Sequence, residues 1–94
     1  MKSYAGVVYT PDAESQLEVL ADEDIRYQLE PEQYEWLIQR DPEGVGTLKE
    51  ISGEPVYIFL TQAKKNGPRR LAITYRIVTD PRHFIQIIDV RALP

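Results

Sequence analysis

At 94 residues, 43% of them hydrophobic, and with no cysteine, the chain is sized for a single core and excludes disulfide, thiolate-metal and cysteine-nucleophile chemistry. A net charge of −4 and a pI of about 4.9 exclude polyanion binding by bulk charge, because phosphate affinity rests on many Lys and Arg contacts. The charge is unevenly spread: residues 12 to 50 are rich in Asp and Glu, with only Arg26, Arg40 and Lys49 as bases. Residues 55 to 94 carry Asp80 and Asp89 against Lys64, Lys65, Arg69, Arg70, Arg76, Arg82 and Arg91.

In chain order, the aromatic and β-branched run Tyr4 to Tyr9 predicts an opening strand. Thr10-Pro11 then predicts a helix start, with Thr10 as cap, Pro11 in the first turn, and Asp12 and Glu14 complementing the dipole. Ala13, Leu17, Leu20 and Ala21 share one face of that helix. Residues 25 to 30 fit strand alternation and helical spacing equally, and Pro31 imposes a break or a fresh start. A second helix follows from Pro31, with Tyr34, Leu37 and Ile38 inward, and Asp41-Pro42 ends it. Trp36 falls off that inward face, either covered by packing against the following loop or partly exposed and free to serve a partner. That loop is predicted over 43 to 55.

Val56 to Thr61 is an unbroken apolar run that suits a central strand covered on both faces. Lys64-Lys65-Asn66-Gly67-Pro68 marks a turn, residues 69 to 78 alternate as a strand, Thr79 to Arg82 make a second turn, and His83 to Arg91 form the last strand. The expectation is one α+β domain over residues 1 to 94: an N-terminal strand, two helices, then a three-stranded antiparallel meander. The opening residues contain no apolar stretch of signal-peptide length, and no run approaches the ~18 apolar residues of a membrane helix. A cytoplasmic protein is therefore expected.

Val8 to Leu20, the group Asp41-Pro42 with Gly46-Thr47-Leu48-Lys49 and Gly53, and the strands Arg70 to Ile77 and Phe84 to Arg91 resemble RelE/ParE-superfamily toxins over most of the chain. The resemblance implies the toxin of a bacterial toxin–antitoxin pair, neutralised by a cognate antitoxin. Such a toxin acts by ribosome-dependent mRNA cleavage or translation inhibition, or in the ParE-like branch by inhibiting DNA gyrase. RelE-like catalysis uses basic residues of the sheet and no metal. This chain departs from the pattern at Val56-Tyr57-Ile58-Phe59-Leu60, which carries no charge where those enzymes carry lysines. A non-catalytic interaction module of the same fold is the alternative.

Strand pairing supplies a candidate site. A turn over 79 to 82 pairs Val78 with His83, which places Tyr75 opposite Gln86, Ile73 opposite Ile88 and Leu71 opposite Val90 on the core side. On the other side Ala72 meets Asp89 and Arg70 meets Arg91. A one-residue slip would invert every side chain. The pairing predicts a cluster of Arg70, Asp89 and Arg91, in which Arg70 and Arg91 would hold a scissile phosphate bidentately. Alternatively, Asp89 bridges the two arginines in a surface ion network. Lys64, Lys65, Arg69 and Arg70 bracket the Asn-Gly turn, either as a solvated hairpin tip or as a contact with ribosomal or messenger RNA. His83, the single histidine, would lie roughly 26 Å from Arg91 at ~3.3 Å per residue and so outside that site. No metal-ligand spacing or phosphate-loop pattern occurs, so no cofactor is expected.

Overall fold

The computed structural model describes residues 6–79 and 83–94, an α+β arrangement of a five-stranded mixed sheet and helices packed on one of its faces. Strand β1 (Val7–Tyr9) leads into helix α1 (Pro11–Glu23), where the Thr10 side chain accepts from the Ala13 amide at 3.2 Å and Pro11 opens the first turn. The ambiguous stretch is a 3₁₀ turn, Ile25–Leu29, capped by Asp24, which also pairs with Arg26 at 2.6 Å. These hydrogen bonds from Arg26 hold the Asp24 carboxyl below the usual carboxylate range.

Helix α2 (Glu30–Arg40) starts one residue before Pro31 and is followed by the single turn α3 (Pro42–Val45). Four strands then complete the sheet: β2 (Thr47–Ile51), β3 (Glu54–Leu60), β4 (Leu71–Val78) and β5 (Phe84–Ala92).

The strand order is β1-β5-β4-β3-β2, with β1 parallel to β5 and the other neighbours antiparallel. The expected meander is therefore β3-β4-β5, set inside a wider sheet. The predicted loop over 43 to 55 is corrected: it contains α3, β2 and a two-residue hairpin turn. Ser52 and Gly53 both have positive φ, 52° and 82°, which gives the twist that such a tight hairpin needs. Gly46 is a point of close approach to the sheet, since a Cβ there would stand 2.3 Å from the Tyr75 hydroxyl oxygen and 2.9 Å from Tyr57 Cβ. Nor is β3 covered on both faces. Only Val56 is buried, Tyr57 to Phe59 are half-buried and Leu60 is exposed, because β2 beside it is an exposed edge strand.

The core lies between the helices and β4-β5. Ala13, Leu20, Tyr27, Tyr34 and Ile38 meet Leu71, Ile73, Tyr75, Ile85, Ile87 and Val90. Each large apolar side chain so buried contributes about 1.5–3 kcal/mol. Two polar contacts fasten the helices to the sheet. The Tyr9 hydroxyl donates to Glu35 at 2.6 Å and lies 2.6 Å from the Tyr34 hydroxyl, joining β1 to α2. The Tyr75 hydroxyl donates to the Pro42 carbonyl. Burial raises the pKa of all three tyrosines, with the Glu35 hydrogen bond adding to the effect at Tyr9.

The β4-β5 register corrects the expected one. Val78 pairs with Phe84, Ile77 with Ile85, Arg76 with Gln86 and Tyr75 with Ile87; after a bulge at Ile88, Thr74 pairs with Asp89, Ile73 with Val90 and Ala72 with Arg91. The bulge changes the phase of the strand, which lets Ile85, Ile87 and Val90 all enter the core despite their mixed spacing. The turn expected over 79 to 82 falls mostly on residues 80 to 82, outside the described residues, as does Arg82. His83, just before β5, is exposed.

Candidate functional site

The corrected register shifts the predicted cluster: Arg70 and Arg91 are diagonal rather than directly opposite. Arg70 is not opposite Arg91; its carbonyl accepts from the Leu93 amide at 2.7 Å, and Arg91 faces Ala72. The two guanidinium groups engage different partners. Arg70 Nε donates at 2.8 Å to the carbonyl of Thr61, at the end of β3. Arg91 turns along its own strand to Asp89, 2.9 Å away, and keeps three quarters of its side chain exposed.

Asp89 itself is drawn outward by Gln16 of α1, whose Nε2 donates to it at 3.0 Å. Gln16 also accepts from the Val90 amide at 2.8 Å, closing the edge of β5 just beyond the point where β1 ends. Of the two readings, Asp89 as an ion-pair partner holds for Arg91 alone.

The hairpin tip divides in the same way. Lys64 is tied to the acidic half: its Nζ lies 3.2 Å from both Glu30 Oε1 and Gln33 Oε1. Arg26 donates to the Asn66 carbonyl, and the Tyr27 hydroxyl donates to the Arg69 carbonyl at 3.3 Å, so the 3₁₀ turn braces the segment from 64 to 69. Lys65 and the Arg69 side chain enter no ion pair among the described residues, and Arg70 engages only a neutral carbonyl. All three are exposed.

Lys65, Arg69 and Arg70 therefore lie in the segment that joins β3 to β4, at one end of the sheet, as cations without a carboxylate partner among the described residues. Arg69 and Arg91 also line a shallow groove of about 470 Å³ between α1 and the end of β5. Chemically, this end can attract and hold phosphate groups. Among the described residues the carboxylates at this end are Asp89, held by Arg91 and Gln16, and Glu23, which lines the same groove as Arg69.

Other residues escaped sequence reasoning. Of the two readings of Trp36 the exposed one holds: it is 57% exposed, and the Arg40 guanidinium, which no sequence pattern singles out, lies 5.1 Å from its ring centroid. Gln16 carries no pattern of its own, and its role follows only from β1 being shorter than β5. Among the described residues no three His, Cys, Asp or Glu side chains are grouped to hold a metal ion, and no helix is long and apolar enough to cross a membrane. Compared with protein-family models, curated proteins and solved structures, the chain has no match.

Proposed function

We propose that this chain inhibits translation by seating the basic end of its sheet on ribosomal or messenger RNA. In this reading it is the toxin component of a cytoplasmic toxin–antitoxin module of RelE/ParE type, held in check by a cognate antitoxin. The observation that carries the reading is that Lys65, Arg69 and Arg70, all in the segment joining β3 to β4, have no carboxylate partner among the described residues, on a protein whose net charge of −4 would otherwise repel RNA. A local cluster on an acidic protein favours a particular phosphate geometry over polyanions in general.

Binding without cleavage is the favoured mode. A metal-independent cut by Arg70 and Arg91 needs both guanidinium groups on one phosphate, whereas here Arg70 is engaged by the Thr61 carbonyl and Arg91 by Asp89.

The test is induction of the chain in a bacterium, with translation followed by labelled-methionine incorporation and mRNA integrity followed by primer extension. The expected result is arrested incorporation with intact mRNA, relieved by the adjacent gene's product. Unimpaired incorporation would overturn the proposal. Cut mRNA would return the cleavage reading, and impaired DNA supercoiling with normal incorporation would point to gyrase.

A further inference from the structure

The β2 edge of the sheet has a property independent of the RNA reading. All five residues of β2 are exposed, among them Leu48 at 60% and Ile51 at 50%, and the strand holds no proline or bulge. The direction of its backbone groups follows from pairing. The Thr61 amide donates to the Leu71 carbonyl, so residues 57, 59 and 61 turn their backbone groups toward β4, while 56 and 58 turn theirs toward β2. Thr47, Lys49 and Ile51 bond with 58, 56 and 54 in return. The amides and carbonyls of Leu48 and Glu50 consequently point out of the sheet. Gly46 continues the line in extended conformation, with φ −101° and ψ 156°. Such an edge is a template for another strand.

We propose that the occupant is a second copy of this chain, paired antiparallel through β2 about a two-fold axis at Leu48. An isologous pairing that continues the sheet must centre on one residue, so that facing side chains lie on the same side. Centring on Lys49 sets Lys49 against Lys49 of the partner, and centring on Glu50 sets Glu50 against Glu50, both repulsive.

Centring on Leu48 avoids both. Leu48 exchanges two hydrogen bonds with the partner's Leu48, Glu50 exchanges two with the partner's Gly46, and Lys49 faces the partner's Thr47. Two half-exposed leucines cover one another at the axis. The result is a continuous ten-stranded sheet that leaves the basic ends uncovered and at opposite extremities.

Because the chain has no cysteine, one substitution reports the register. A hydrogen-bonded antiparallel pair places its Cα atoms about 5.5 Å apart, within the range of about 4.4–6.8 Å that a disulfide spans. Under mild oxidation Leu48→Cys should give a covalent dimer. Glu50→Cys should not, since its two copies sit four residues apart along the strands, about 13 Å.

Wild type should sediment as a concentration-dependent monomer–dimer. Leu48→Pro, which removes only an outward amide, should sediment as a monomer with an unchanged circular dichroism spectrum. A wild type that stays monomeric up to its solubility limit would overturn the proposal, as would Glu50→Cys cross-linking as readily as Leu48→Cys. If Leu48→Pro fails to fold, the cysteine pair decides.

Discussion

Arg70 and Arg76 stand on the same face of one strand direction, six residues apart, and the structure uses them in opposite ways. Arg76 is engaged: its Nε donates to Gln86 across the strand pair, and its Nη1 lies 3.2 Å from Glu54 on β3. Arg70, beside Lys65 and Arg69, gives one nitrogen to a neutral carbonyl and leaves its charge uncompensated. Identical side chains thus hold the sheet together at one end and leave it open to anions at the other. The feature that separates them is the presence of a carboxylate, which the composition of the basic half conceals.

The strongest way to break this comparison is charge reversal. The triple variant Lys65→Glu/Arg69→Glu/Arg70→Glu should raise the concentration needed to inhibit cell-free translation by about 100-fold, because three phosphate contacts become repulsive. Arg76→Glu should leave that concentration within about threefold. It should cost only about 0–1 kcal/mol of stability in urea denaturation, since both members of its ion pair are largely exposed.

The next effect sharpens the contrast between binding and scaffolding. Tyr9→Phe removes the hydroxyl shared by Glu35 and Tyr34, leaving both without that partner in a partly buried site. A loss of about 1–3 kcal/mol is expected, with translation inhibition unchanged at temperatures where the variant is folded.

The same tyrosines give a pH signature. Their folded pKa values lie above the unfolded value of about 10, so the unfolded chain loses protons first as pH rises. Stability is fully present below about pH 10 and should fall above it, measurable as a declining urea midpoint that Tyr9→Phe makes shallower.

The smallest effects belong to the β5 edge. Gln16→Leu strands the Val90 amide and should cost about 1 kcal/mol. Arg91→Ala, an exposed pair member, should cost about 0–1 kcal/mol in urea denaturation and should weaken inhibition less than Arg70→Ala does.

Much of the helical half was legible because its signals are local. Thr10-Pro11 caps α1, Asp41-Pro42 ends α2, and Ala13, Leu20, Tyr34 and Ile38 mark the inward faces. The sheet was less so, for two reasons. Ile51-Ser52-Gly53-Glu54 is a two-residue hairpin turn, but Lys49, Glu50 and Pro55 disguise the flanking strands as loop, and an exposed edge strand needs no apolar face to reveal it.

The register failed at Ile88, since strict alternation has no means of announcing a bulge. The available warning was Gln86, which the unbulged pairing put on the core side opposite Tyr75. Of the candidate site, Lys65, Arg69 and Arg70 were readable as a basic run. Their availability was not, because Lys64 and Arg91 look the same in sequence and are neutralised by Glu30 and Asp89 from distant or bulge-shifted positions.

The comparison between the two ends of the sheet is tested most directly by the salt dependence of binding to a single-stranded ribosomal RNA fragment. For wild type, log K should fall linearly with log salt. Lys65→Ala/Arg69→Ala/Arg70→Ala should flatten that slope by about 2, the value for three phosphate contacts on a single strand, while Arg76→Ala leaves it unchanged. Equal slopes for wild type and the triple variant, or a flattened slope for Arg76→Ala, would contradict the account.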